Sequence, residues 1–221
     1  MCEPARHRQG TTAVSWVVPL EQLLTADRGG AGSKAVNLGV MIRAGLPVPQ
    51  GFCVTSPAFL RWLDASPTVQ PSLDQLERFE ARQTEEVRQA AAELRQHLAT
   101  IPLPEFVQTA IVAECERRGP AVAWAVRSSA TAEDLPEASF AGQHDSLLNV
   151  SGSQAVLAAV RSCWISLFTD RAVSYRLKNR IPHRDAAMAV VVQEMVPAEV
   201  SGVIFTADTG GTATGGSSPA Q

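Results

Sequence analysis

The residues best suited to chemistry lie together in Ala123-Trp-Ala-Val-Arg-Ser-Ser-Ala-Thr131 and its continuation to Gln143. An apolar strand over 122–126 leads to Arg127, and a loop of small and hydroxyl residues is predicted to follow: Ser128, Ser129, Ala130 and Thr131, with Ser139 and Gly142 at its far end. Arginine offers a planar fork of donors that matches phosphate oxygens. Small residues let backbone N–H groups approach an anion closely. The composition fits a polyphosphate site and, equally well, an ordinary strand-to-loop junction with a solvated arginine.

A second anion-binding candidate is Gly29-Gly-Ala-Gly-Ser-Lys34. Gly30-Ala-Gly32-Ser-Lys-Ala35 has the letters of a dinucleotide fingerprint in its alanine-ended form. However, no buried strand clearly precedes it, and residues 50–57 hold no acid for the ribose. A Walker A loop fails too, because Ser33 stands where glycine must precede the lysine and Ala35 where Ser or Thr must follow. What remains is Lys34 on the first turn of a helix behind a glycine turn, where free N–H groups favour an anion. A solvated lysine is the simpler reading. No Gly-x-Ser-x-Gly elbow occurs. Glu133, Asp134, Glu199 and Asp208 have no spacing that makes them an acid/base pair.

These residues need elements to hold them. Residues 15–20 read as an edge strand. Ser33 is expected to cap a helix over 34–44 that ends at Gly45 in the C′ position. A strand over 51–55 leads to Ser56-Pro57, a cap followed by proline at N1. Residues 72–100 read as one long amphipathic helix carrying Leu73, Leu76, Val87, Leu94 and Leu98 on its apolar stripe. Pro104 opens a helix to Arg118. Beyond a strand over 146–150, Ser153 and Asp170 are expected to cap two further helices. Residues 186–196 form the most apolar run, and Val190-Val-Val192 favours a buried strand. Gln193 interrupts that run and must find a polar partner. Another strand is expected over 202–206.

The chain has 221 residues, 45% of them hydrophobic, with a formal net charge of -3. Those values suit a globular α+β protein and offer no electrostatic case for nucleic acid. No apolar run is long enough to span a bilayer, and the N-terminus lacks a signal-peptide core. Of the four cysteines, Cys53, Cys115 and Cys163 lie in apolar stretches and read as buried free thiols. Without a Cys-x-x-Cys pair or ligand spacing among the histidines, no metal site is expected. A cytoplasmic location fits the free thiols. Residues 1–12 read as a disordered lead-in and 209–221, rich in Gly, Ser and Thr, as a flexible tail.

Several longer stretches occur in a fixed order: Ser33-Lys-Ala-Val-Asn-Leu-Gly39, Ala44-Gly-Leu-Pro-Val-Pro-Gln-Gly-Phe52, Ala125-Val-Arg-Ser-Ser-Ala-Thr-Ala-Glu-Asp-Leu-Pro136, Ser139-Phe-Ala-Gly-Gln143, Cys163-Trp-Ile-Ser-Leu-Phe-Thr-Asp-Arg171, Val192-Gln-Glu-Met-Val196 and Ser201-Gly-Val-Ile-Phe-Thr206. Together they resemble the ATP-grasp-like, ATP-binding N-terminal domain of the phosphoenolpyruvate-utilising phosphotransferases, a group that includes phosphoenolpyruvate synthase, pyruvate phosphate dikinase and rifampin phosphotransferase. The resemblance implies a first lobe over 13–196 with a mixed sheet and flanking helices, and the start of a largely missing second lobe at 197–208. It implies ATP contacts from Lys34, Arg127, the Ser128–Thr131 stretch (Ser128, Ser129, Thr131), Gly142, Ser146 and Gln193. Mg²⁺ would be held by carboxylates of the missing lobe. The implied activity is transfer of the ATP β-phosphoryl group, through a phosphohistidine on an absent domain, to pyruvate or an antibiotic hydroxyl. The alternatives are a non-catalytic truncated remnant, or one subunit of a split enzyme completed by a separate chain.

Overall fold

A computed structural model describes residues 15–80, 82–130, 146–200 and 202. Five strands form one sheet in the order β1-β2-β5-β3-β4: β1 Val17–Pro19, β2 Gly51–Val54, β3 Ala123–Ala130, β4 Ser146–Ser151 and β5 Met188–Glu194. Every neighbouring pair is antiparallel. The α+β class holds among the described residues, but the expected mixed sheet does not. The long helical excursions between strands return the chain in alternating directions, so no parallel pair forms. β1 is an edge strand, which its terminal Pro19 tolerates because an edge carries unpaired groups.

Side chains alternate between the two faces of each strand, and the faces are covered unequally. Phe52, Val54, Trp124, Val126, Met188, Val190 and Val192 enter the larger core. That core is closed by α2 Ser56–Asp64, α3 Val69–Glu77, α4 Thr84–Thr100, α5 Glu105–Arg118, α6 Ser153–Ser166 and α7 Asp170–Lys178. Its centre is aromatic, with the Trp62 and Trp164 rings 5.3 Å apart and the Trp62 indole donating to the Pro102 carbonyl at 3.2 Å. On the opposite face Cys53, Ala189 and Val191 meet α1 Arg28–Arg43 through Ala31, Ala35 and Val36. β5 is apolar from Met188 to Val192 because both of its faces are covered there, and it ends in Gln193 and Glu194.

The expected helix over 72–100 is two helices, α3 and α4. A continuous helix of that length would run to about 40 Å, too long to bury both apolar stripes in one core. The chain instead turns at 78–83, where the Gln83 side chain accepts from the Glu80 backbone N–H at 2.8 Å. The caps expected at Ser56, Ser153 and Asp170 shift by one residue. These are the first helical positions, behind Thr55, Gly152 and Thr169. The Thr55 hydroxyl is committed to the Ser15 carbonyl at 3.0 Å, and Asp170 receives Arg95 at 2.7 Å. The end of α1 follows expectation. Gly45 has φ 77°, its N–H bonds the Ile42 carbonyl at 3.0 Å, and the Leu46 N–H bonds that of Met41 at 3.1 Å. Of the strand expected over 202–206 only Gly202 is described, and it is not in a strand; the lead-in and the tail lie outside the described residues. Cys53, Cys115 and Cys163 are buried and free, as their surroundings imply.

Far from β3, Arg176 on α7 is buried and donates from Nε to His183 Nδ1 at 2.9 Å and from Nη2 to the Leu167 carbonyl at 2.6 Å. The Glu77 carboxylate accepts the His183 backbone N–H. Burial, with the Arg176 charge added, pushes the imidazole down from 6.5 to about 4. The folded state therefore holds His183 neutral where the unfolded chain protonates it. This contribution is complete above about pH 6.5 and is lost as pH falls towards 4. Wild type is expected to lose on the order of 2 kcal/mol across that window relative to His183→Gln, allowing for partial solvent screening. Urea unfolding of both proteins from pH 7 to 4.5 measures the difference, and parallel curves would refute it.

Candidate functional site

The site is built where α1 crosses β3. α1 consists of two helical segments meeting at Gly32, whose φ 75° and ψ 164° interrupt the helix. Residues 28–31 are helical rather than a glycine turn, and the second segment begins directly at Ser33. Ser33 thus does not precede the helix as its cap; its hydroxyl accepts from Arg28 Nη1 at 3.3 Å. Gly32 is required twice over. Its backbone conformation disfavours any side chain, and a Cβ there would stand 2.8 Å from the Ser129 carbonyl oxygen and closer still to the Ser129 hydroxyl. Seven residues on, a Cβ at Gly39 would lie 2.7 Å from the Leu20 carbonyl. The two glycines lay the α1 backbone directly on its neighbours.

That approach brings Lys34 to β3, where its Nζ donates to the Ser128 carbonyl at 3.2 Å. The strand itself is longer than expected. Arg127, Ser128 and Ser129 are not in a loop but in β3, paired with Val191, Val190 and Ala189 of β5. The apolar length of β5 offers partners as far as Ala130, so pairing continues through the serines. Alternation sends Ser129 to the α1 face with Arg127, and Ser128 to the larger core. Both serines are buried, and neither hydroxyl takes a hydrogen bond among the described residues.

Arg127 is exposed and stands opposite Ser146 on β4. Ser146 is exposed as well. Gln193 lies opposite Ala125 on the α1 face, diagonal to Arg127 and about 7 Å away backbone to backbone. It is 6% exposed, and its amide Nε2 donates to the Pro49 carbonyl at 3.0 Å, the partner its polarity demands. Lys34, Arg127, Ser129, Ser146 and Gln193 are thus gathered around one sheet face, while the Ser128 side chain leaves it and only its carbonyl takes part. Thr131 and Gly142 lie outside the described residues.

Cys53 sits on this face with its thiol directed at the Ala31 carbonyl, 3.7 Å away, and burial pushes its pKa far above the ordinary thiol range. It is packing, not a nucleophile. Among the described residues no group of three His, Cys, Asp or Glu could hold a metal ion, and no helix is long and apolar enough to cross a membrane. What the face offers is cationic: a lysine and an arginine near a helix start, with a carboxamide and hydroxyls nearby, a set suited to a phosphorylated ligand. Sequence reasoning did not reveal the Gly32–Ser129 contact, the Pro49 carbonyl or the close approach at Gly39. The glycine content of 29–39 hinted at the two close approaches, and the polarity of Gln193 at a partner it did not name.

The family model described as pyruvate phosphate dikinase, AMP/ATP-binding domain, matches residues 29–218, and the chain belongs to that family. Among curated relatives, a rifampicin phosphotransferase of Streptomyces sp. is 48% identical over 193 residues, covering 87% of this chain and 22% of the relative. A probable phosphoenolpyruvate synthase of Methanothermobacter thermautotrophicus is 44% identical over 202 residues, covering 89% and 30%. A rifampicin phosphotransferase of Bacillus subtilis is 40% identical over 195 residues, covering 88% and 22%. The chain spans less than a third of the length of these relatives.

The glycines of α1 are expected to differ sharply on substitution. Gly32→Ala should cost about 2 kcal/mol or more, from the positive φ and the collision with Ser129. Gly30→Ala, whose Cβ would make ordinary contact with Pro57 at 3.8 Å, should be neutral or stabilising by up to about 1 kcal/mol. Denaturant midpoints of the two variants test this; equal effects would contradict the account of the junction.

Proposed function

We propose that this chain is the ATP-binding portion of a phosphotransferase with an ATP-grasp-like nucleotide cleft. Residues 13–196 form the first lobe, and 197–208 begin the second. The observation that carries the reading is the convergence of Lys34 and β3 at the Gly32 break, beside Arg127 on the same face. Membership in a family described as binding AMP or ATP supports it. Lys34 and Arg127 neutralise phosphate oxygens and hold them in line, which is most of what a protein contributes to phosphoryl transfer. Ser129 and Ser146 lie on the same face and Ser128 contributes its carbonyl; Thr131 and Gly142, outside the described residues, are proposed as further ATP contacts on the family resemblance alone. Gln193 takes the base. Mg²⁺ would supply charge neutralisation with the bound nucleotide, and by the resemblance its carboxylate ligands would lie in the second lobe.

The named relatives are phosphoenolpyruvate synthases and rifampicin phosphotransferases. By analogy, the complete reaction passes the β-phosphoryl group of ATP to a histidine on another domain and then to pyruvate or an antibiotic hydroxyl. The buried cysteines agree with a cytoplasmic setting.

Calorimetric titration with ATP and Mg²⁺ should show weak binding. Lys34→Met and Arg127→Ala should each reduce the affinity about tenfold, the worth of a charged hydrogen bond to phosphate. No binding by the wild type, or unchanged affinity in both variants, would refute the reading.

A further inference from the structure

Arg118 ends α5 with its side chain only 3% exposed, an expensive place for a guanidinium unless its donors are engaged. Its Nη1 pairs with the Glu114 carboxylate and also reaches the Glu114 carbonyl at 3.1 Å. Burial raises the Glu114 carboxyl, but hydrogen bonds from Arg118 and Arg117 more than offset it and leave the group below its usual range. The guanidinium lies over the Phe52 ring, 5.6 Å from its centroid, and Nε stands 3.9 Å from Glu194 Oε1. Its remaining arm, Nη2, donates to the Gly51 carbonyl at 2.9 Å.

That last acceptor is informative. The Gln50 carbonyl faces β5, where it accepts the Glu194 N–H at 2.8 Å. Carbonyls alternate along a strand, so Gly51 directs its own towards β1, whose last paired residue, Pro19, stands opposite Phe52. Arg118 supplies the donor that β1 no longer provides. Gly51 in turn backs Gln193. The two are paired in register, and a Cβ on Gly51 would stand 2.9 Å from Gln193 Cα. The Gln193 amide is then oriented by Pro49, two residues before Gly51. A carbonyl can only accept, so the group facing Pro49 is the NH₂, and the amide oxygen takes no hydrogen bond among the described residues.

We propose that Arg118 is a positioning residue for base recognition: by holding the Pro49–Gly51 stretch it keeps the Gln193 amide oxygen as an acceptor, so the site selects a purine bearing a 6-amino group over one bearing a 6-oxo group. This rests on the reading proposed above that Gln193 contacts the base.

The test is competition titration of the 221-residue chain with ATP and with ITP, both with Mg²⁺. Wild type should prefer ATP by about tenfold, since a 6-oxo group leaves the amide oxygen facing another acceptor. Gln193→Leu sets the unselective baseline. Arg118→Met should bring the ratio to within about twofold of that baseline by weakening ATP alone. Arg118→Lys, which keeps the charge and a donor, should retain an intermediate ratio and decides the matter if the Met variant does not fold. A purely structural arginine would weaken both nucleotides together; an unchanged ratio in the variants therefore overturns the proposal, as does a wild type without preference. Binding of neither nucleotide by wild type would instead refute the ATP site itself, and this inference with it.

Discussion

The structure depends on how closely the α1 backbone approaches the sheet. Layers stacked face to face, such as two sheets, ordinarily lie about 10 Å apart because side chains fill the gap. Here Gly32 rests on Ser129 and Gly39 on the carbonyls of Leu20 and Leu23. Where α1 comes nearest, the sheet offers small residues, Ser129 and Ala189, beside Cys53 and Val191. The helix start, with its lysine, is thereby delivered to the middle of a strand rather than to a distant loop, so Lys34 reaches the Ser128 carbonyl. A larger residue at Gly32 would lift α1 and separate the two cations.

The unequal covering of the two faces follows from the same constraint. The larger core takes the aromatics and most of the branched side chains, and six helices close it. The α1 face has little volume to bury and can therefore accommodate Arg127, Gln193 and Ser146 without stranding them in an apolar core. A rigid sheet with one heavily packed face gives these side chains fixed positions. Rigid support of that kind is what charge placement against a phosphorylated ligand requires.

The sequence disclosed the types of residue at the site better than their setting. Arg127, Lys34 and Gln193 stood out because each is a polar group where the surrounding pattern is apolar or glycine-rich. The serines misled. Ser-Ser-Ala after a strand looks like a loop, but pairing to β5 extends β3 through them, and propensity yields to an available partner strand. The break between α3 and α4 was hidden because residues 78–83 hold no Gly or Pro. Tertiary folding-back, not local chemistry, ends α3. Arg118 was not distinguishable at all: it follows Arg117, and only the fold shows which of the two is buried.

The central claim, that the α1–β3 junction is a nucleotide-phosphate site, is tested most directly by hydrogen exchange with and without ATP and Mg²⁺. The account predicts slowed exchange over 32–36 and 125–130, and no change in α3 or α7. Protection confined to other surfaces, such as the cavity between Cys115 and Ser153, would contradict it.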